Sequence, residues 1–309
     1  RRLFERGVKL NVMALLNSAG FDSEVLVPLI RHSREGGNLD YDLCPGDLTE
    51  LKQLFEHATT FGSLIQVPEE LAEKLPALKQ LSEATNQDLF VSEALKCLGP
   101  LVQQAELLAA QYDAVVANPP YMGSKSGMNA LMKNFVKDFY SDAKSDLFAC
   151  FIERGYTLAN DAARVAMITM QSWMFLSSFE KMREQMLRTK TICTMAHLGA
   201  RAFGSISGEV VQTTAFVLGN QPLNGYRPTF FRLLTGNEDS KRVALEGGGS
   251  RYDSAAQDEF KKIPGSPLAY WASNRVVDAF SRGDSIGDIA APRQGLATSD
   301  NGRFLRFWP

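Results

Sequence analysis

The chain has 309 residues, enough for about two domains, and with 45% apolar and 22% charged residues it can build a sizeable core. No apolar run approaches the ~20 residues of a membrane helix and no signal peptide is visible, which points to a cytoplasmic protein with no membrane partner. The net charge of −2 announces no global affinity for nucleic acid, and four scattered cysteines (Cys44, Cys97, Cys150, Cys193) without a Cys-x-x-Cys pair argue against a metal site or a disulfide framework.

The opening Arg1-Arg2-Leu3-Phe4-Glu5-Arg6 lacks an initiator methionine and reads as the interior of a longer frame. Val8–Leu15 suggests a strand, and Arg31-His-Ser-Arg-Glu-Gly-Gly-Asn38 a polar, glycine-bearing loop. Asp47-Leu-Thr-Glu50 has the pattern of a helix start with Asp47 as cap, followed by Leu51, Leu54, Phe55 and Ala58 at helical spacing. Further helices are expected over Glu69–Leu75 and Leu78–Ala110, broken near Asn86 and Gly99-Pro100. Between Asn38 and Glu93 eleven acids face three lysines, a local net charge of −8, whereas Met122–Ser145 and Arg293–Pro309 each carry +2. A phosphate backbone would be held by the two later stretches.

Asp113–Ala117 is a short apolar run that predicts a buried parallel strand, and it stops at Asn118-Pro119-Pro120-Tyr121. A helix with exposed lysines is expected over Asn129–Tyr140. Ser145-Asp146 can cap the next one, with Leu147, Phe148, Phe151, Ile152 and Leu158 on one face. Strands follow at Arg164–Met170, Thr191–His197 and Val210–Leu218, with a helix at Leu176–Arg188. Tyr226–Leu234 suggests an antiparallel partner for Val210–Leu218 across the Asn224-Gly225 turn. Asn237–Ser266 looks loop-rich around Gly247-Gly248-Gly249, and Leu268–Phe280 helical. The alternation defines an α/β sheet ending in antiparallel edge strands. Expected domains are 1–112 (cofactor-half remnant and helical insertion), 113–236 (catalytic core), 237–287 (linker and helix) and 288–309, where a second domain opens.

Proline restricts the residue before it to extended backbone, so Asn118 is held at the carboxyl end of a strand, where open α/β sheets bind ligands. Asn118 offers a carbonyl and an amide, Pro119 a carbonyl with no amide hydrogen of its own, and Tyr121 a flat face for stacking. Two carbonyls converging on one NH2 group would bind its hydrogens and raise lone-pair density on nitrogen. The set suits an aromatic or amide amine made nucleophilic and lacks the histidine, serine or carboxylate pair of a hydrolase. The competing structural reading is a stiff turn with Tyr121 as packing. Trp173 and His197 read as core residues, and His32 and His57 as surface or helix residues.

Asn118-Pro119-Pro120-Tyr121 after an apolar strand resembles the catalytic motif of S-adenosylmethionine-dependent amino-methyltransferases. Asp146–Gly155, Ile168–Ser178 and Phe203–Leu218 are similar to the large adenine-specific (N6) DNA methyltransferases of phage-exclusion systems (BREX, PglX type), relatives of type II fused methyltransferases. Leu54–Ile65 and Arg293–Arg306 extend the resemblance over most of the chain. It implies a Rossmann-like methyltransferase sheet, here N-terminally incomplete. It also implies S-adenosylmethionine as methyl donor, with double-stranded DNA and other phage-defence proteins as partners. In the implied base-flipping mechanism Asn118, Pro119, Pro120 and Tyr121 are catalytic, while Phe203 and Lys125 contact the substrate. The family's glycine-rich cofactor turn and ribose-binding acid have no counterpart, so no cofactor-binding residue is assigned and the isolated chain is expected to bind S-adenosylmethionine poorly. Two alternatives stay open: an inactive remnant that at most binds DNA or a partner, and methylation of RNA or protein amide nitrogen.

Overall fold

The computed structural model describes residues 11–36, 43–125, 127–203, 211–284 and 286–291. The first part is helical: α1 (Val27–Gly36), α2 (Pro45–Leu54), α3 (Ala58–Phe61), α4 (Glu69–Ser82) and α5 (Leu89–Ala109). Residues 11–15 are irregular rather than strand, while 8–10 lie outside the described residues. A side chain takes the place of a partner strand here: fully buried Gln104 of α5 accepts from the Leu16 amide (3.0 Å) and donates to its carbonyl (3.1 Å). Residues 31–36 of the expected loop form instead the end of α1, while 37 and 38 lie outside the described residues.

Helix α2 begins earlier than its sequence pattern suggests. Cys44 is the cap, Pro45 takes the first helical position, where its missing amide is harmless, and Asp47 accepts from the Cys44 amide at 2.7 Å. The break near Asn86 is present, with Asp88 capping α5 through the amides of Phe90 (2.8 Å) and Val91 (3.2 Å). The break at Gly99-Pro100 is not. Leu95, Leu98, Leu101 and Val102 are buried against α4 and its neighbours, and that packing outweighs the ~3 kcal/mol a mid-helix proline costs.

The second part is a six-stranded sheet: β1 (Tyr112–Ala117), β2 (Ala159–Met170), β3 (Thr191–Gly199), β4 (Thr213–Gly219), β5 (Thr229–Arg232) and β6 (Arg251–Tyr252), in the order β1-β2-β4-β3-β5-β6. Helices α6 (Ala130–Phe139), α7 (Leu147–Leu158) and α8 (Glu180–Thr189) accompany it. Gly155 of α7 lies so close to β2 that a Cβ there would come within 2.8 Å of Met167. β1, β2, β3 and β5 run parallel, with β4 antiparallel between β2 and β3.

Several sequence expectations are corrected here. β5 does not form a hairpin with β4: both edges of β4 are taken by β2 and β3, so the chain crosses to the free edge of β3 and pairs parallel. The turn at Gly225 exists, at φ +70°, but joins strands that are not neighbours. The segment before α8 is a 3-10 turn (Ser177–Phe179). Asn237–Ser266 holds a helix, α9 (Glu238–Glu246), capped by Asn237 on the Ser240 amide at 3.1 Å. The last long helix, α10 (Asn274–Arg282), starts six residues later than expected, because Leu268 and Tyr270 turn into the sheet's core instead. The expectations for 292–309 fall outside the described residues.

Glu153 of α7 is held mostly out of water beside Asp142. Burial first, and Asp142 second, push its pKa up to about 7. A raised carboxyl pKa favours the folded state while the group is protonated, so this stability is full at low pH and is lost as pH rises through about 7. Urea unfolding at pH 5 and pH 8 should therefore show a fall of about 2–3 kcal/mol, which Glu153→Gln should largely abolish.

Candidate active site

The four parallel strands bring their carboxyl ends to one edge of the sheet. β1 ends there at Ala117, and the chain leaves it through Asn118, Pro119 and Pro120. β1 is less buried than its sequence suggests. It is an edge strand: Val115 and Ala117 pack on the core, while Val116, on the opposite face, is 78% exposed.

Asn118 is exposed, and its side chain has no hydrogen-bond partner among the described residues. Both its carbonyl and its amide are therefore free for a ligand. Pro119 is buried and Pro120 exposed, so the turn is anchored at its middle. Tyr121 is half-buried. Its ring meets the edge of Phe148 (centroids 6.2 Å apart, 89°) and its hydroxyl donates to the Ile168 carbonyl of β2 at 3.4 Å. Burial raises the Tyr121 pKa, which keeps the ring a neutral stacking surface.

The turn is tied down from behind by Asp146. Its carboxylate caps α7 through the Phe148 amide (3.4 Å) and also accepts from the Met122 amide (2.9 Å). Leu147 donates back to the Met122 carbonyl at 3.1 Å, and Ser124 to the Ser145 carbonyl at 3.0 Å. Burial raises the Asp146 pKa, and the amides it accepts from pull the other way. The cap is legible in sequence; its second task, holding the residue after Tyr121, links positions 24 apart and leaves no local signal.

The other candidates are placed as follows. Lys125 lies exposed in the turn that this pairing creates. Phe203 is half-buried beyond the end of β3 and makes no ring contact with Tyr121. Trp173 is fully buried, donating to Thr169 Oγ1 at 3.1 Å and packing on Phe216, as a core residue should. His197 is buried as well. Its Nε2 faces the Gln171 carbonyl oxygen at 2.7 Å and its Nδ1 the Tyr270 hydroxyl at 3.0 Å. Burial, then Arg232 and Lys241, push its pKa down to about 4. It is thus neutral, donating to Gln171 and accepting from Tyr270, and serves as a rigid strut.

Beside Asn118 the uncovered sheet face forms an open depression of about 540 Å³, lined by apolar groups including Val116, Ala166, Ile168, Ala215 and Val217. It offers a flat ring a surface but no carboxylate for ribose hydroxyls and no glycine turn. The described residues alone do not fit S-adenosylmethionine.

The α/β sheet with Asn-Pro-Pro-Tyr at a parallel strand's carboxyl end agrees with the methyltransferase sheet that the motif's resemblance implies. The Eco57I restriction-modification methylase family model matches residues 47–203, half of the chain, and the chain belongs to that family. It is 45% identical over 325 residues to the adenine-specific methyltransferase BrxX of Escherichia coli O9:H4 (strain HS), covering 100% of this chain and 27% of that protein. It is 36% identical to the adenine-specific methyltransferase PglX of Lacticaseibacillus casei (strain Zhang), covering 89% and 24%. The chain thus spans about a quarter of the length of the curated relatives it matches, and the resemblance seen in its motifs holds. Among solved structures, the DrdV–DNA complex matches with 12% identity and a TM-score of 0.37, over 55% of this chain and 19% of that one. Among the described residues no helix is long and apolar enough to cross a membrane.

Proposed function

We propose that this chain forms the acceptor half of an adenine-N6 DNA methyltransferase, the part that takes a base out of the duplex and readies its amine. The observation that carries the reading is the exposed, uncommitted Asn118 side chain beside Pro119, at the end of a strand and two prolines from a fixed tyrosine. An extruded adenine would stack on Tyr121, with its N6 hydrogens accepted by the Asn118 side chain and the Pro119 carbonyl. That arrangement draws the nitrogen lone pair out of conjugation with the ring. Lys125, exposed on the same turn, would meet a phosphate, and Phe203 would supply a second apolar contact to the base. The relatives' names support adenine as the acceptor. S-adenosylmethionine would supply the methyl group, held by parts of the full-length protein beyond the described residues.

The test is transfer of a labelled methyl group from S-adenosylmethionine to unmethylated DNA by the full-length gene product, followed by nucleoside analysis. N6-methyladenine is the expected product; label in RNA or protein alone, or none, would sink the reading. Tyr121→Ala should lower transfer by about 10-fold or more through lost stacking, while Tyr121→Phe, which keeps the ring, should retain most of it.

A further inference from the structure

A second feature of the same sheet edge has no part in holding the acceptor amine. Trp271, just before α10, is 41% exposed and yet fixed on several sides. Phe175 meets it at 5.6 Å and 61°, Tyr270 at 4.9 Å and 88°, and His197 at 6.3 Å. The Arg232 guanidinium, at the carboxyl end of β5, sits 5.3 Å from its ring centre. Arg232 is exposed, hydrogen-bonds the Tyr270 side chain, and makes no ion pair with a carboxylate among the described residues. Tyr270, beneath the indole, is clamped by stacking on Phe230 at 4.4 Å and 2° and by its bond to His197. The indole therefore cannot swing away to bury itself.

An exposed indole held by neighbouring rings, beside a guanidinium with no carboxylate partner, presents a flat apolar group and a positive charge together. It is suited to a ligand with a flat ring and a nearby negative charge. Trp271 rests on His197 of β3, which lies three strand spacings, roughly 14 Å, from β1 along the same edge. That separation is about four base-pair rises of a duplex at ~3.4 Å each.

Resting on the acceptor-base reading above, we propose that Trp271 and Arg232 bind the target duplex a few nucleotides away from the extruded adenine, the indole stacking on a base or sugar and the guanidinium meeting a phosphate. Trp271 and Arg232 are thus DNA-positioning residues outside the Asn-Pro-Pro-Tyr turn.

The test uses the full-length gene product and linear unmethylated plasmid DNA, with affinity measured over a series of salt concentrations. Trp271→Ala is expected to weaken binding about 10-fold, and Trp271→Phe by no more than about threefold. Arg232→Ala should reduce the slope of log affinity against log salt by about 1. Wild-type affinity in Trp271→Ala together with a wild-type slope in Arg232→Ala, both with unchanged thermal unfolding, would overturn the proposal. If Trp271→Ala fails to fold, the Arg232→Ala slope decides alone. Duplex binding by the wild type with indifferent variants sinks this inference only; no duplex binding by the wild type sinks it and the acceptor-base reading together.

Discussion

Replacing Asn118 by alanine in the full-length gene product is expected to lower methyl transfer to adenine by about 10²–10³-fold, with the fold unaffected. The fold should survive because Asn118 is exposed and its side chain bonds to nothing else in the described structure. The rate should fall because a positioned polar group acting on the reacting nitrogen supplies interactions realised as charge develops, and losing one costs that much. Asn118→Asp separates the two functions of the amide. The carboxylate keeps the acceptor and loses the donor, so an intermediate rate would show that both count. Thermal unfolding of each variant checks the fold, and labelled-methyl transfer checks the rate. Undiminished transfer by Asn118→Ala would remove the residue from the mechanism.

Arg154→Met is expected to cost about 3 kcal/mol of stability, by the buried bonds it breaks. Arg154, on α7, is 3% exposed and joins the helical first part of the chain to the sheet. Its Nε donates to the Ser63 carbonyl, and its two terminal nitrogens to Thr157 Oγ1 and the Leu108 carbonyl, each at 2.8 Å. Methionine fills much of the volume but leaves the carbonyls of Ser63 and Leu108 without a donor, at roughly 1–3 kcal/mol each. Part of that cost is offset, because burial works against the arginine's charge and depresses its pKa. The Tyr140 hydroxyl still reaches the Leu64 carbonyl at 2.6 Å, so the joint should loosen rather than open. Arg154→Lys should not rescue the loss, since an ammonium on a single stem cannot span three acceptors in a plane. Urea unfolding measures both; a loss below about 1 kcal/mol for Arg154→Met would show that the joint does not depend on this residue.

The Asn-Pro-Pro-Tyr turn was legible in sequence because its signals are local. Proline acts on the residue beside it, a capping acid on the amides two or three positions ahead, and an apolar run on its own strand. Asn118-Pro119-Pro120-Tyr121, the cap Asp146, and strands β1 to β4 all follow from rules that reach a few residues. The same locality explains the misplaced boundaries. Cys44 and Asp47 share the start of α2, and a local pattern cannot tell the cap from the residue three positions on.

By itself, then, the sequence determined that this is an α/β chain with an Asn-Pro-Pro-Tyr turn at a strand end, and its motifs carried the family. Only the tertiary structure decided the partners: that β5 lies beside β3 and not β4, that Asp146 holds Met122 as well as capping α7, that Gln104 replaces a strand, and that Trp271 stands rigid next to Arg232. Those contacts join residues far apart in the chain, and they depend on which edges and faces remain free once the sheet has formed. That depends on the burial of the whole sheet, and no short stretch of sequence contains it.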